Sequence, residues 1–150
     1  MNIRPMLLTD LDAVVAIEKM SLPSPWSKEL FEEELKRSLA HYFVSEREGV
    51  ILGYMGYWVA PGEAHIITLA VAPEARGAGV AQALIGHCLS DAIRRGGRLA
   101  TLEVRDGNRA GRALYEKMGF RMVAIRRKYY QDNQEDAWVM IRELPHPGGV

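Results

Sequence analysis

The stretch VAPEARGAGVAQALI, from Val71 to Ile85, has the residue types of an anion-binding turn. Arg76, Gly79 and Ala81 stand at R-x-x-G-x-A spacing between a short apolar run and a long helical pattern. Glycines allow successive backbone N–H groups to turn toward one point, and the start of a helix adds the positive end of its dipole. These features predict a pyrophosphate site that needs no metal, with a plain strand-to-helix turn as the alternative.

Two other phosphate-binding patterns are excluded in this stretch. A P-loop requires Gly-Lys-Ser or Gly-Lys-Thr, and neither occurs in the chain. The dinucleotide pattern G-x-G-x-x-G could begin at Gly77 and Gly79, but Gln82 stands at the third glycine position.

Glu103 is a second candidate, because it stands in the mostly apolar strand pattern RLATLEV. A carboxylate among apolar side chains is costly unless it has a partner or a use. We expect burial to raise its pKa toward the neutral range. Pairing with Arg105 or another basic side chain is the alternative.

Tyr115 belongs to NRAGRALYEKMG, a short helical pattern with Asn108 as its expected cap and Gly119 as its stop. The predicted core stripe of this helix excludes Tyr115 and consists of Ala110, Ala113, Leu114 and Met118. Tyr115 falls in line with Gly111 and Asn108 instead. A phenol, a gap and a polar residue on one flank predict contact with a long, thin ligand. The alternative is a half-buried aromatic that joins helix and sheet.

The segment IRRKYYQDNQEDAW mixes basic, aromatic and acidic residues between the last two predicted strands. The simplest interpretation is a solvated hairpin. It could also clamp a peptide, with Tyr129 and Tyr130 packing on it and Glu135 and Asp136 pairing with its arginines. Trp26, in SPWS, would then form the opposite wall.

Other reactive side chains support weaker predictions. Cys88 stands among apolar residues of the long helix and is expected in the core. The four histidines show no metal-ligand spacing, so no metal site is predicted. His65 and Glu63, which open the strand before the glycine stretch, are reserve bases.

The first half of the chain is predicted to contain two helices and four strands, which must position these residues. A strand around Ile3 precedes two helices, for which Thr9 and Ser27 are the expected caps. Three strand patterns follow, HYFVSE, VILGYMGYWVA and HIITLAV, with a hairpin turn at REG between the first two.

The second half alternates helices and strands. A helix from Gly79 to Arg95 ends at two glycines, and RLATLEV, the short helix, FRMVAIRRKYY and DAWVMIREL follow. This order predicts one α/β or α+β domain over residues 1–150, with helices on both faces of a mixed sheet. Residues from about 145 to 150 are expected to be a flexible tail.

Composition limits the classes of partner. The 19 basic and 19 acidic side chains balance, so no overall field favours nucleic acid or a membrane. The single cysteine excludes an internal disulfide. The N-terminus has no signal-peptide pattern, and no apolar run approaches the ~20 residues of a membrane span. We expect a cytoplasmic protein, as a monomer or weak dimer.

The motifs together resemble a known family. LAVAPEARGAGVAQALI is similar to the acetyl-CoA-binding motif of the GCN5-related N-acetyltransferases (GNAT), Q/R-x-x-G-x-G/A. LEVRDGNRAGRALYEKMGF resembles the strand, loop and helix that follow it in that family. With SPWS and IRRKYY…EDAWVM, nearly the whole chain resembles the ribosomal-protein alanine N-acetyltransferase (RimI-like) branch. The resemblance implies a mostly antiparallel, splayed sheet, open as a V between the strands that end at Val71 and Val104.

The resemblance also implies acetyl-CoA as the cosubstrate, with no metal. Its pantetheine would pair like an added strand with the backbone of Leu69, Ala70 and Val71. Its pyrophosphate would lie on Arg76, Gly77, Ala78, Gly79, Val80, Ala81 and Gln82.

The same resemblance assigns chemical roles. Glu103 matches the general base, Tyr115 the general acid that protonates the CoA thiolate, and Asn108 a CoA contact. The backbone N–H of Val71 is the expected oxyanion donor.

The function expected from these residues is acetyl transfer to a protein N-terminal α-amine. The implied acceptor is the N-terminal alanine of a small-subunit ribosomal protein, held by Trp26, Tyr129, Tyr130 and Glu135. Two alternatives remain open: acetylation of a lysine or a small amine, and a non-catalytic acyl-CoA-binding module.

Overall fold

A computed structural model describes residues 1–145, so the predicted tail lies outside the described residues except for Pro145. The elements are β1 (Asn2–Pro5), α1 (Leu11–Ser21), α2 (Lys28–Leu35), β2 (Ala40–Arg47), β3 (Val50–Ala60), β4 (Glu63–Val71), α3 (Val80–Arg94), β5 (Leu99–Arg105), α4 (Arg109–Lys117), β6 (Arg121–Arg126) and β7 (Ala137–Glu143). Over residues 1–145, every helix is too short or too polar to cross a membrane.

All seven strands lie in one sheet of order β1-β2-β3-β4-β5-β7-β6. Neighbouring strands are antiparallel except β4 and β5, which are parallel. These two pair from Glu63 with Leu99 to His65 with Thr101, and then separate. Their remaining lengths form the sides of a V-shaped opening. The predicted mixed, splayed sheet is therefore confirmed.

A core lies on each face of the sheet, which confirms the prediction of helices on both faces. On the first face α3 and α4 cover a cluster that includes Met55, Leu84, Ile85, Leu102, Tyr115 and Phe120. On the second face α1 and α2 cover a cluster that includes Leu11, Phe31, Tyr42, Val44 and Tyr54.

A β-bulge makes β4 change faces along its length. The register shifts between Gly56 and Tyr57 of β3, so that Ile66 belongs to the first core and Ala70 to the second. Bulges re-aim the side chains that follow them. As a result, the side chain of His65 lies on the second face before the bulge, where β4 still pairs with β5. After the bulge, along the open part of the V, it is Ala70 whose side chain lies on that face.

Local cap chemistry sets several helix ends as predicted. Ser27 caps α2, because its hydroxyl accepts a hydrogen bond from the N–H of Leu30 at 3.2 Å. The Asn108 side chain caps α4 by accepting from the N–H of Gly111 at 2.9 Å. Gly119 follows α4 with φ +92°, a left-handed conformation that favours glycine.

Two predicted boundaries were wrong. Helix α1 begins at Leu11, and Thr9 lies in a short 3₁₀ turn before it (Leu8–Asp10). In that turn the side chain of Asp10, and not that of Thr9, accepts a hydrogen bond from the backbone N–H of Leu7 at 2.8 Å. The predicted strand FRMVAIRRKYY is also shorter, since β6 ends at Arg126 and residues 127–136 form the loop to β7.

Candidate active site

The β4 side of the V carries backbone groups that β3 does not use. The N–H of Ala72 donates to Leu52 of β3 at 2.8 Å. Because alternate residues of a strand hydrogen-bond to opposite neighbours, Leu69 and Val71 direct their N–H and C=O groups toward the opening. Ala70 was predicted to share this pairing, but its backbone faces β3 and its side chain is buried. An extended ligand could therefore pair with Leu69 and Val71 alone.

The glycine stretch forms a cavity of about 250 Å³ beside the end of β4, lined by Val71, Ala75, Arg76, Gly77, Gly79, Val80, Ala81, Gln82 and Leu114. Gly77 and Gly79 have φ values of +79° and +82°, and the space where a Cβ would stand is open at both. Gly79 is the N-cap of α3, so the cavity faces the positive end of that helix. These features fit a pyrophosphate.

Two predicted cradle side chains have other contacts. Arg76 is exposed, and it donates from Nε to the carbonyl of Val71 and from Nη2 to the hydroxyl of Ser21, both at 3.2 Å. Val80 is buried in the core, so its side chain is not available to a ligand. Ala78 lies exposed in the turn.

Glu103 projects from β5 onto the second face, because its neighbours Leu102 and Val104 fill the first core. Its Oε1 accepts hydrogen bonds from His65 Nε2 at 2.9 Å and from the hydroxyl of Tyr129 at 3.3 Å. Its Oε2 has no hydrogen-bond partner within residues 1–145 and is the atom left for other chemistry.

The expected pKa shift of Glu103 was wrong in sign. The hydrogen bond from His65 lowers the pKa of this carboxyl, and it outweighs burial, which acts in the opposite direction. The Tyr129 hydrogen bond and the charge of Arg126 lower the pKa further. Glu103 is therefore ionised at neutral pH. The alternative of a basic partner is met by His65 and not by Arg105, since that arginine bonds to the β6–β7 loop.

Tyr115 lies in the first core, so its predicted exclusion from the core stripe of α4 was wrong, whereas Leu114 and Met118 pack against that core as predicted. Ala110 and Ala113 are exposed, whereas the Tyr115 ring is buried and packs on Phe120 with centroids 5.7 Å apart. An aromatic ring buries more apolar surface than two methyl groups, so it sets the buried face. Burial raises the pKa of Tyr115, which keeps its phenol protonated at neutral pH.

Asn108 is committed to its capping role through Oδ1. A ligand contact from this side chain would therefore have to come from its amide nitrogen, and that contact stays a prediction.

The loop of residues 127–136 is fixed from within by Arg105. This arginine pairs with Asp132 at 2.9 Å and Glu135 at 3.3 Å, and its guanidinium lies 3.9 Å from the centre of the Tyr130 ring. Glu135 also accepts from the N–H of Gly107 at 2.7 Å. Both carboxylate oxygens of Glu135 therefore have internal partners, and its contact with a substrate stays a prediction.

Asp136 is likewise used inside the loop, since it accepts the N–H of Lys128 at 2.9 Å. Tyr129 is 40% exposed, beside Glu103, and packs edge-on against Tyr130. The two tyrosines therefore remain the loop residues placed to meet an acceptor.

Trp26 lies in the α1–α2 connection, packed on Phe31 with ring centroids 5.2 Å apart. The backbone N–H of Trp26 donates to Glu18 Oε2 at 3.0 Å. The same connection reaches the β6–β7 loop, because the Ser24 hydroxyl donates to Asp132 at 3.0 Å. The segments that carry Trp26 and the two tyrosines are therefore in contact. Their binding of an acceptor stays a prediction.

Sequence reasoning missed Trp58, which supports His65. Its ring contacts His65 edge-on, with centroids 6.4 Å apart, and its Nε1 donates to Glu34 at 2.7 Å. The guanidinium of Arg37 lies 4.3 Å above the same ring. The aromatic content of VILGYMGYWVA indicated a strand but not which of its rings would contact His65.

The remaining candidates are peripheral. Glu63 is exposed at the start of β4, on the closed side of the V. Cys88 is buried, and burial raises the pKa of its thiol, as expected of a core residue. Within residues 1–145, no three His, Cys, Asp or Glu side chains form a group that could hold a metal ion.

The sequence is similar to characterised acetyltransferases. The sequence profile of the Acetyltransferase (GNAT) family matches residues 11–120. The [ribosomal protein bS18]-alanine N-acetyltransferase of Escherichia coli (strain K12) is 34% identical, over 88% of this chain and 90% of that protein. A Bacillus subtilis (strain 168) protein, to which the same activity is provisionally assigned, is 39% identical over 94% of this chain and 96% of its own length.

Solved structures agree with the sequence comparison. The crystal structure of the ribosomal-protein-S18-alanine N-acetyltransferase from E. coli has a TM-score of 0.89 at 32% identity, with 98% of this chain and 96% of that chain covered. Ard1 from Thermoplasma volcanium has a TM-score of 0.87 at 28% identity, over 95% and 97% of the two chains. The chain belongs to the GNAT acetyltransferase family, as the glycine stretch and the two motifs after it had indicated.

Proposed function

We propose that this protein transfers the acetyl group of acetyl-CoA to the N-terminal α-amine of a protein. The observation that carries the proposal is the V between β4 and β5, with open backbone at Leu69 and Val71 on one side and the Glu103 carboxylate on the other. The names of the relatives support an N-terminal alanine of a small-subunit ribosomal protein, such as bS18, as the acceptor. Such an acceptor would place the reaction in the cytoplasm.

The binding of acetyl-CoA would use two parts of the V. Its pyrophosphate fits the cavity at Gly77 and Gly79, where open space and a helix N-terminus coincide. Its pantetheine fits the free backbone of Leu69 and Val71, by the hydrogen bonding that joins a strand to a sheet edge. The N–H of Val71 would also polarise the thioester carbonyl.

The transfer itself needs a base and an acid. An α-amine is mostly protonated at neutral pH and must lose a proton before it attacks the thioester. We assign this proton to Oε2 of Glu103, the carboxylate oxygen that His65 and Tyr129 leave free. Tyr115 keeps its phenol protonated and is assigned as the donor to the departing thiolate. Each role contributes roughly 10²–10⁴-fold.

An α-amine suits this site better than a lysine. Its ordinary pKa of about 7.7–8.0 lies well below the ~10.4 of a lysine side chain, so a single carboxylate can deprotonate it. The acceptor backbone would pass between Trp26 on one side and Tyr129 and Tyr130 on the other, since the connections that carry these rings touch at Ser24 and Asp132.

Mass spectrometry of acetyl transfer tests the proposal. The protein and acetyl-CoA are offered a peptide with a free N-terminal alanine, the same peptide with a blocked N-terminus and internal lysines, and spermidine. We expect modification of the first peptide alone. Transfer to lysine or spermidine instead would replace the acceptor but keep the cosubstrate site. CoA binding without transfer to any acceptor would favour a non-catalytic module.

A further inference from the structure

The hydrogen bond between His65 and Glu103 holds the carboxylate in place, in addition to the role of Glu103 as the proposed base. His65 Nε2 donates to Oε1, on the same carboxylate oxygen as the Tyr129 hydroxyl. Two donors on one oxygen fix the rotation of the carboxylate. They leave the remaining oxygen, Oε2, without a hydrogen-bond partner among residues 1–145.

His65 is also placed to change charge. Its side chain is 36% exposed, compared with 13% for Glu103, so protons can reach the imidazole from solvent. Imidazole is the side chain that ordinarily gains a positive charge between pH 8 and pH 5. A charged imidazole 2.9 Å from Glu103 would stabilise the carboxylate and weaken its attraction for a proton.

We propose that His65 is the positioning residue of Glu103 and that its charge sets the acidic limit of acetyl transfer. The proposal rests on the function above: neutral His65 aims Oε2 at the amine, and charged His65 makes Glu103 a poorer base. The imidazolium would also repel the incoming ammonium group.

Side chains of β3, β5 and the β6–β7 loop surround His65, and some of them are charged or titratable. From β5 it faces Glu103, and beyond that carboxylate lie Tyr129 of the β6–β7 loop and Arg126 of β6. From β3 it faces the ring of Trp58, which also contacts Arg37 and Glu34. Arg37 and Glu34 pair with each other at 3.5 Å, so their charges largely cancel.

Two substitutions separate positioning from charge. In His65→Gln the amide nitrogen can still donate to Oε1, but it cannot take up a proton. We expect its turnover at pH 8 to be well above that of His65→Ala, which has no donor at this position. The ratio of the variant's rate to the wild-type rate should then rise as the pH falls to 5.5, because only the wild-type side chain can gain a charge. Taking the ratio removes the titration of the substrate amine.

His65→Ala removes the donor as well as the charge. We expect kcat to fall on the order of tenfold or more at pH 8, at the low end of general acid–base effects, with the KM for acetyl-CoA unchanged. His87→Gln, on α3 against Phe43, is the matched control and should follow the wild-type profile. A constant His65→Gln ratio across this pH range would overturn the proposal, as would full activity in His65→Ala.

A second measurement needs no substrate. Carbon-detected NMR of the Glu103 carboxyl should show two inflections with pH, one from its own titration and one from His65. The His65 inflection should vanish in His65→Gln. A single inflection in the wild type would refute the coupling between His65 and Glu103. This outcome does not depend on acetyl transfer, so it is distinct from a failure to acetylate any acceptor, which would refute the proposed function.

Discussion

At the residue scale, the proposed chemistry depends on one carboxylate and one phenol with opposite surroundings. Glu103 receives hydrogen bonds that favour its charged form, while Tyr115 is surrounded by core side chains that favour its neutral form. The two groups therefore hold the protonation states that a base and an acid require at the start of a reaction. This difference makes each group testable by removing a single atom or charge.

Glu103→Gln should lower kcat at neutral pH by roughly 10²–10⁴-fold, because an amide cannot accept the amine proton. The affinity for CoA, measured by calorimetry, should change little, since no cradle residue is altered. Glu143→Gln, an exposed glutamate on β7, is the control and should keep full activity. A Glu103→Gln enzyme with the wild-type rate from pH 6 to pH 9 would remove Glu103 as the base.

Tyr115→Phe should slow turnover while the thermal unfolding temperature stays close to that of the wild type. The ring that packs on Phe120 is retained, and the Tyr115 hydroxyl has no hydrogen-bond partner within residues 1–145. Steady-state kinetics and a melting curve on the same sample test both parts. Undiminished kcat would mean that water protonates the thiolate.

At the element scale, the junction of β4 and α3 concentrates the cosubstrate site in one turn. Gly79 combines a left-handed φ, open space at the Cβ position and the start of a helix. A side chain at this position would meet the ligand before it met any other part of the protein. A substitution at Gly79 therefore strains the backbone and would also place its side chain in the proposed binding site.

Gly79→Asp should reduce CoA affinity at least about 100-fold, because it adds bulk and negative charge where the pyrophosphate would lie. Gly62→Asp is a closely matched control: Gly62 has φ +71° and open space at its Cβ position, but it lies in the β3–β4 turn, away from the cradle. Both variants carry the same backbone strain and charge. Equal CoA affinity in the two would contradict the cradle assignment.

The sequence predicted features whose cause lies within a few residues. The caps at Ser27 and Asn108 and the glycine turn before α3 each depend on a short segment, and the structure confirms them. The face of α4 could not be predicted in the same way. Its small alanines match the helical period, but the burial of Tyr115 depends on where Phe120 and the sheet lie.

The His65–Glu103 contact was beyond local reasoning for a related reason. It joins residues 38 positions apart, on two parallel strands that pair at three positions. A one-residue change of register would turn either side chain to the other face. No pattern within either strand specifies that register, so the sign of the pKa shift of Glu103 could not be foreseen.

At the scale of the whole molecule, buried carboxylates tie the helices to the sheet on both faces. Asp91 of α3 accepts the Tyr57 hydroxyl at 2.5 Å and pairs with Arg94 and Arg95. Glu18 of α1 accepts the Tyr54 hydroxyl and the N–H of Trp26. The two carboxyls are shifted in opposite directions, so they affect stability oppositely as the pH changes.

Asp91→Asn should lower the free energy of unfolding by about 1–3 kcal/mol at pH 7, and by less near pH 3. Burial alone would raise the pKa of Asp91, but the hydrogen bonds from Tyr57 and Arg95 lower it overall. A carboxyl with a lowered pKa stabilises the fold above its unfolded pKa, and that stability is lost as the pH falls through the folded value. If this explanation is wrong, urea unfolding would show the same loss of unfolding free energy for Asp91→Asn at pH 7 and at pH 3.

Glu18→Gln should show the opposite trend. Burial raises the pKa of Glu18, so its contribution is fully present below its unfolded pKa and is lost as the pH rises through the folded value. The variant cannot ionise, and its stability relative to the wild type should therefore improve between pH 5 and pH 8. A difference that stays flat over this range in thermal unfolding would contradict the assignment.

The parting of β4 from β5 would link the stability of the folded chain to the amount of coenzyme available to bind in the gap. The amides of Leu69 and Val71 lie on a sheet edge inside the molecule, and a bound coenzyme would complete that sheet. A ligand present at 100 times its Kd stabilises a folded chain by about 2.7 kcal/mol. We expect hydrogen exchange at these two amides, and proteolysis of the whole protein, to slow when CoA is added. A starved cell, with little acetyl-CoA, would then degrade this enzyme faster than a well-fed one.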